Sequence, residues 1–147
     1  MLPILSLASS APAPWAAALR KSQLKGGMRV RAFDEKAGGG HGGKRSYRQD
    51  AGGAGAKGPT CGRTAQAALD RISLADDLAA LAPANVIIEA VVERLDLKQA
   101  LFAKLDSMTG PDTILASNTS SIPITAIAAA CRSPERVCGM HSFNPCR

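Results

Sequence analysis

The segment V-I-I-E-A-V-V at residues 86–92 is an almost unbroken apolar run, and it constrains the fold of this chain more than any other feature. A strand with one face in water alternates apolar and polar residues, whereas an unbroken run is typical of a parallel strand covered on both faces. Residues 96–108 follow it with apolar side chains at helical spacing, namely Leu97, Leu101, Leu105 and Met108. Asp96 is placed to cap this helix. Together the two segments predict one strand–helix unit of a parallel sheet.

Further elements are expected on both sides of this unit. Strands are predicted over 28–33, 114–116 and 136–141. Helical segments are predicted over 65–72, 76–81 and 122–130, the last with Pro123 in its first turn, where proline is tolerated. Parallel strands joined by helices require right-handed crossovers. The predicted fold class is therefore α/β.

Charge and composition exclude several classes of protein. The net charge is +6, and the basic excess is concentrated, together with most of the glycines, in the first 65 residues. Because aromatic residues make up only 3% of the chain, stacking side chains are scarce and no nucleic-acid partner is expected. No apolar stretch is long enough to span a membrane, and residues 1–16 resemble a signal peptide without its basic start. The cysteines show no metal-ligand spacing, so no metal site is predicted, and a reducing cytoplasm is the expected location.

Polar side chains cluster near the ends of the last two predicted strands. Residues 114–130 read I-L-A-S-N-T-S-S-I-P-I-T-A-I-A-A-A, and C-R-S-P-E-R-V-C-G-M-H-S-F-N-P follows them. With V-I-I-E-A-V-V-E-R-L-D-L-K-Q-A-L-F before it, this stretch resembles 3-hydroxyacyl-CoA dehydrogenases from about residue 65 to residue 145, and the resemblance returns at 27–36. It implies a Rossmann-type parallel sheet with NAD as cofactor. It also implies oxidation of an (S)-3-hydroxyacyl-CoA to a 3-oxoacyl-CoA, in fatty-acid β-oxidation or related acyl-CoA metabolism.

The resemblance implies catalytic roles for three side chains. His141 corresponds to the family's general base, a role that suits imidazole because it exchanges protons near neutral pH. Ser120 corresponds to the serine that hydrogen-bonds the substrate oxygen beside the nicotinamide, and Asn144 to an asparagine near the substrate carbonyl. From the residues alone each has a structural alternative: a strand-end histidine, a helix-capping serine and the asparagine of an Asn-Pro turn.

Besides Ser120, three further residues correspond to positions that bind the cofactor in the family. Asp34, directly after its predicted strand, matches the carboxylate that binds the adenosine ribose. Glu93 and Lys98 match positions that line the NAD site after the central strand. A turn-forming aspartate and a solvated Glu–Lys pair on a helix surface are the structural alternatives. Asp96 stands where relatives often carry a lysine that contacts CoA.

The family pattern breaks at three places. The G-x-G-x-x-G turn expected before Asp34 is missing, and A-S-S-A-P-A-P-W-A-A-A-L-R-K-S-Q-L-K stands in its place. Codons that can encode this segment read V-I-G-A-G-T-M-G-R-G-I-A-Q-V-A-A-Q in a shifted frame. Residues 50–63 and the final P-C-R regain the family pattern after a one-base shift in the same way. We interpret the reading frame as disrupted by single-base insertions or deletions.

This interpretation sets the expected domain organisation. Residues 1–26 replace the first strand–helix unit, residues 27–147 form a partial NAD-binding domain, and residues 38–64 are expected to be disordered or out of frame. The family's C-terminal helical domain, which forms its homodimer and covers the acyl-CoA substrate, is expected to be absent. Two functions stay open: an NAD-dependent dehydrogenase, and a non-catalytic fragment from a decayed gene with at most weak nucleotide or CoA binding. Loss of the phosphate-binding turn predicts an inactive chain.

Overall fold

The structure, a computed structural model, describes residues 4–9, 29–33 and 70–141 of the 147-residue chain. Its strands are β1 Ile4–Ser9, β2 Arg29–Phe33, β3 Ile72–Leu74, β4 Val86–Ala90, β5 Ile114–Ser117 and β6 Val137–Gly139. The α-helices in this part of the chain are α1 Leu95–Met108 and α2 Ile124–Ala128, and short 3-10 helices lie at Leu78–Leu81 and Pro134–Arg136. None of these described helices is long and apolar enough to cross a bilayer.

All six strands form one parallel sheet in the order β3-β2-β1-β4-β5-β6. Strand β1 lies inside the sheet, where it pairs with β2 on one side and β4 on the other. The direction in which the sheet grows therefore reverses between β1 and β4. In open α/β sheets such a switch point leaves a crevice at the carboxyl ends of the strands, where ligands bind. The Rossmann-type parallel sheet expected from the sequence is confirmed.

Strand β4 is buried on both faces, as its apolar run predicts. Ile87 and Ile88 point to opposite faces, and both have no exposed surface. On the face of Ile87, helix α1 contributes Phe102 and Leu105 to one hydrophobic cluster, which also contains Leu115 and Ile127. Burial of this cluster is what holds α1 against the sheet.

Several boundaries differ from the predicted ones. Helix α1 begins one residue early with Arg94 as its N-cap, so Asp96 does not cap it. Asp96 lies in the first turn instead and forms an ion pair with Arg94. Asp70 and Arg71 form a turn and Ile72 begins β3, so the helix expected over 65–72 is wrong at its last three residues. Helix α2 is shorter than expected, and Pro123 is its N-cap.

No strand is predicted at Ile4–Ser9, yet these residues form β1. The strand falls within residues 1–26, which were expected to replace the first strand–helix unit. The rest of that region, where the glycine turn was expected, lies outside the described residues. Residues 38–64 lie outside them as well. The final P-C-R and the side chains of Asp34 and Asn144 also lie outside them.

A buried ion pair ties the end of α1 to the start of β6. The guanidinium of Arg136 donates to Asp106 Oδ1 at 2.5 Å, and the two side chains are 9% and 3% exposed. Arg136 also donates to the carbonyl of Thr113, which directly precedes β5. This pair therefore lies at the amino ends of β5 and β6, opposite to the carboxyl edge of the sheet.

Candidate active site

The carboxyl ends of β4, β5 and β6 lie side by side, and an open cavity of ≈ 410 Å³ lies at this edge. Its lining consists of residues 119–124 and 139–141. Ser120, which follows β5, and His141, which follows β6, are exposed and line the same cavity. The sheet brings them together because adjacent parallel strands end at one edge. Two residues predicted from the sequence to act on one substrate thus share one cavity.

The carboxylate of Glu93, which follows β4, holds the turn between β5 and α2. Its Oε1 accepts hydrogen bonds from the backbone N–H of Ser120 at 3.1 Å and of Ser121 at 3.2 Å. The hydroxyl of Ser121 donates to the same oxygen at 3.0 Å, and the hydroxyl of Thr119 donates to it as well. One carboxylate therefore fixes the backbone of residues 119–121 at the mouth of the cavity.

These donors also determine the charge of Glu93. Partial burial alone would raise its pKa. The hydrogen bonds from Thr119 and Ser121, together with the one from Lys98, outweigh that effect and lower the pKa from 4.5 to about 2. Glu93 is consequently an anion at any physiological pH, which suits an acceptor that holds a turn and not a group that donates protons.

Lys98 is fully buried beneath this turn. Its ammonium lies 2.8 Å from Oε1 and 3.1 Å from Oε2 of Glu89, and 3.3 Å from Oε2 of Glu93. The Lys98 side chain is 1% exposed, whereas that of Glu93 is 39% exposed. The alternative of a solvated Glu–Lys pair on a helix surface is therefore wrong. Burying an ammonium requires paired carboxylates, and two are present.

Glu89 was not predicted from the sequence as a site residue. Its carboxylate is buried in β4, where Oε2 accepts from the hydroxyl of Ser117 at 2.7 Å and Oε1 accepts from the N–H of Val91. Ser117 is its direct partner in the β4–β5 register. The signal in the sequence is the single charge inside the apolar run at 86–92, with a lysine one helical turn after the helix begins.

Thr119 and Ser120 make different contacts in the serine-rich turn before α2. Thr119 Oγ1 accepts from the N–H of Ile122 at 3.0 Å, inside the turn that precedes α2, whose N-cap Pro123 receives no side-chain hydrogen bond. The hydroxyl of Ser120 has no hydrogen-bond partner within the described part of the chain. The Ser120 side chain is exposed and lines the cavity.

Known proteins resemble this chain in sequence and in fold. The family model for "3-hydroxyacyl-CoA dehydrogenase, NAD binding domain" matches residues 16–147. The chain is 54% identical over 86 residues to 3-hydroxyadipyl-CoA dehydrogenase of Escherichia coli K12, a match that covers 58% of this chain and 17% of that protein. It is 51% identical over 79 residues to 3-hydroxybutyryl-CoA dehydrogenase of Mycobacterium tuberculosis, covering 53% and 28%. The matches span less than a third of these curated relatives.

Solved structures resemble the whole chain. The crystal structure of 3-hydroxybutyryl-CoA dehydrogenase from Escherichia coli K12 matches with a TM-score of 0.76 and 33% identity, covering 99% of this chain and 30% of that one. The (S)-3-hydroxybutyryl-CoA dehydrogenase of Ralstonia eutropha gives a TM-score of 0.76 at 25% identity, covering 99% and 50%.

Proposed function

This chain belongs to the 3-hydroxyacyl-CoA dehydrogenase family through its NAD-binding domain, and from that membership we propose that it binds NAD and oxidises a 3-hydroxyacyl-CoA. The alternative is the non-catalytic fragment that loss of the phosphate-binding turn predicts, and the experiment below distinguishes the two by NADH binding and turnover. One observation carries the proposal: Ser120 and His141 follow neighbouring strands and line one cavity, and Glu93, from the next strand end, binds the turn that carries Ser120. A cytoplasmic location, expected from the cysteine pattern, belongs to the same proposal.

The described residues fit NAD at its nicotinamide end. A dinucleotide spans the switch point between β1 and β4, with its two halves on the two sides of the sheet. The half over β4 and β5 would reach the cavity, where the turn at 119–121, which Glu93 holds, forms part of the wall. We assign the adenosine ribose to Asp34. NAD, when bound, supplies the acceptor for the hydride that leaves C3 of the substrate.

Ser120 and His141 then act on the substrate oxygen. The hydroxyl of Ser120 donates a hydrogen bond to the oxygen on C3, which fixes its position in the cavity. The imidazole of His141 takes the proton from the same hydroxyl group as the carbonyl forms. Glu93 keeps the turn in place and, because its pKa is about 2, stays ionised throughout. Asn144 is assigned to the substrate carbonyl.

The test compares Ser120→Ala with Ser107→Ala, a matched change at an exposed serine on α1 far from the cavity. NADH-dependent reduction of a short 3-oxoacyl-CoA and the Kd for NADH are measured in both. We expect Ser120→Ala to lower kcat about 100-fold, as loss of one oxygen-binding donor does elsewhere. Ser107→Ala should match the unsubstituted chain. An unsubstituted chain that binds no NADH would refute the proposal, and one that binds NADH without turnover would be a nucleotide-binding module.

A further inference from the structure

Glu89 is a buried carboxylate that lies beneath the cavity and outside its lining. None of its surface is exposed, and the lining at 119–124 and 139–141 does not include it. The proposed chemistry does not use it. An acidic side chain inside a central strand is costly to bury, so its presence requires a physical reason.

The contacts of Glu89 lead from the core to the cavity wall in three steps. Both of its carboxylate oxygens bind the ammonium of Lys98, at 2.8 Å and 3.1 Å. The same ammonium lies 3.3 Å from Oε2 of Glu93. The other oxygen of Glu93 accepts from the N–H groups of Ser120 and Ser121. A continuous chain of charged contacts therefore joins β4 to the turn that lines the cavity.

The geometry of Glu89 leaves its carboxylate no freedom. Besides Lys98, Ser117 donates to Oε2 and the N–H of Val91 donates to Oε1, so both oxygens are held from two directions. Lysine has a flexible stem and a compact charge, and it takes its position from its partners. A carboxylate fixed in the sheet thus determines where the ammonium of Lys98 sits.

We propose that Glu89 is a positioning residue: it fixes Lys98, which fixes Glu93, which holds the turn at 119–121 in the shape that lines the cavity. Only the last step, that this turn orients cofactor and substrate, rests on the proposed function. The competing explanation is that Glu89 only neutralises a buried lysine and matters for stability alone. The two explanations predict different results when both charges are removed together.

The experiment measures solvent exchange of the Ser120 and Ser121 amide protons by NMR in three variants: Glu89→Gln, Lys98→Met and the double variant. If Glu89 acts through Lys98, exchange rises about tenfold in each single variant and no further in the double variant. The urea midpoint should fall in both single variants and recover in the double variant, because that variant leaves no unpaired buried charge. In the double variant the urea midpoint would then recover, while amide exchange at Ser120 and Ser121 would stay fast.

Asp106→Asn is the matched control. It breaks the buried pair with Arg136 at the opposite edge of the sheet, so it should lower the urea midpoint without changing exchange at Ser120 and Ser121. Exchange that simply follows the midpoint in all variants, and recovers in the double variant, would overturn the positioning role. NADH titration of the unsubstituted chain is read separately. A failure to bind NADH would refute the proposed function, while the exchange series still decides the role of Glu89.

Discussion

At the scale of single residues, the protonation of Glu93 makes the stability of the fold depend on pH. Its pKa is about 2 in the folded chain against an ordinary value of 4.5. A carboxyl group whose pKa is lower in the folded state stabilises the fold above its unfolded pKa, and that contribution is lost as the pH falls through the folded pKa. The contribution of Glu93 is therefore complete above about pH 4.5 and disappears between pH 4.5 and about 2.

We expect Glu93→Gln to weaken the dependence of stability on pH in that window, because glutamine has no proton to gain. The free energy of unfolding in urea, measured at a series of pH values, gives the slope. Glu135→Gln replaces an exposed carboxylate on the 3-10 helix at Pro134–Arg136 and is the matched control for the loss of one carboxyl group. Asp96 and Asp106 also have lowered pKa values. An unchanged slope in Glu93→Gln would show that Glu93 does not contribute to it.

At the scale of elements, a few buried side chains hold helix α1 against the sheet. Phe102 is fully buried in the cluster against β4, whereas Leu97 on the same helix is 41% exposed. Phe102→Ala removes a large apolar side chain from a packed site and should cost about 3–5 kcal/mol. Leu97→Ala should change stability by no more than about 0.5 kcal/mol. Equal losses in urea unfolding would mean that α1 is held by its exposed side as well.

Elements with a clear period or a long apolar run are the ones that the sequence predicts. Strand β4 and helix α1 are correct to within two residues because burial on a face imposes a visible pattern. Strand β3 has only three residues, too few to show any period, and the expected helix extended into it. Strand β1 starts just after Pro3 in a segment that resembles a leader, so its place inside the sheet is visible only from its pairing with β2 and β4.

The sequence likewise predicts only part of the candidate site. Glu93, Lys98, Ser120 and His141 could be selected because they resemble family positions, and the sheet brings them to one edge. Their assigned roles remain predictions. Glu89 could not be ranked from the sequence, because a charge in an apolar run fits a strand end as well as a buried network. Only the register that sets it opposite Ser117, and the burial of Lys98, reveal the network.

At the scale of the whole molecule, β1 is the strand through which the two sides of the sheet are joined. In the order β3-β2-β1-β4-β5-β6, strands β2 and β3 reach β4 only across β1. Every residue inside a strand with two parallel neighbours uses its N–H in a ladder with one of them. Breaking the ladder at the middle of β1 should therefore loosen one side of the sheet from the other.

We expect Leu7→Pro to do this, since proline has no N–H to donate and is excluded from central strands. The loss of stability should be about 1–3 kcal/mol for the unpaired ladder partner alone. Amide exchange should rise mainly in β2 and β3, because β4 and β5 keep their packing on α1 through Ile87, Phe102 and Leu115. Leu7→Val keeps the N–H and is the control for the change of side chain. If exchange in Leu7→Pro rises equally in β2 and β4, the sheet opens as one cooperative unit and β1 does not divide it.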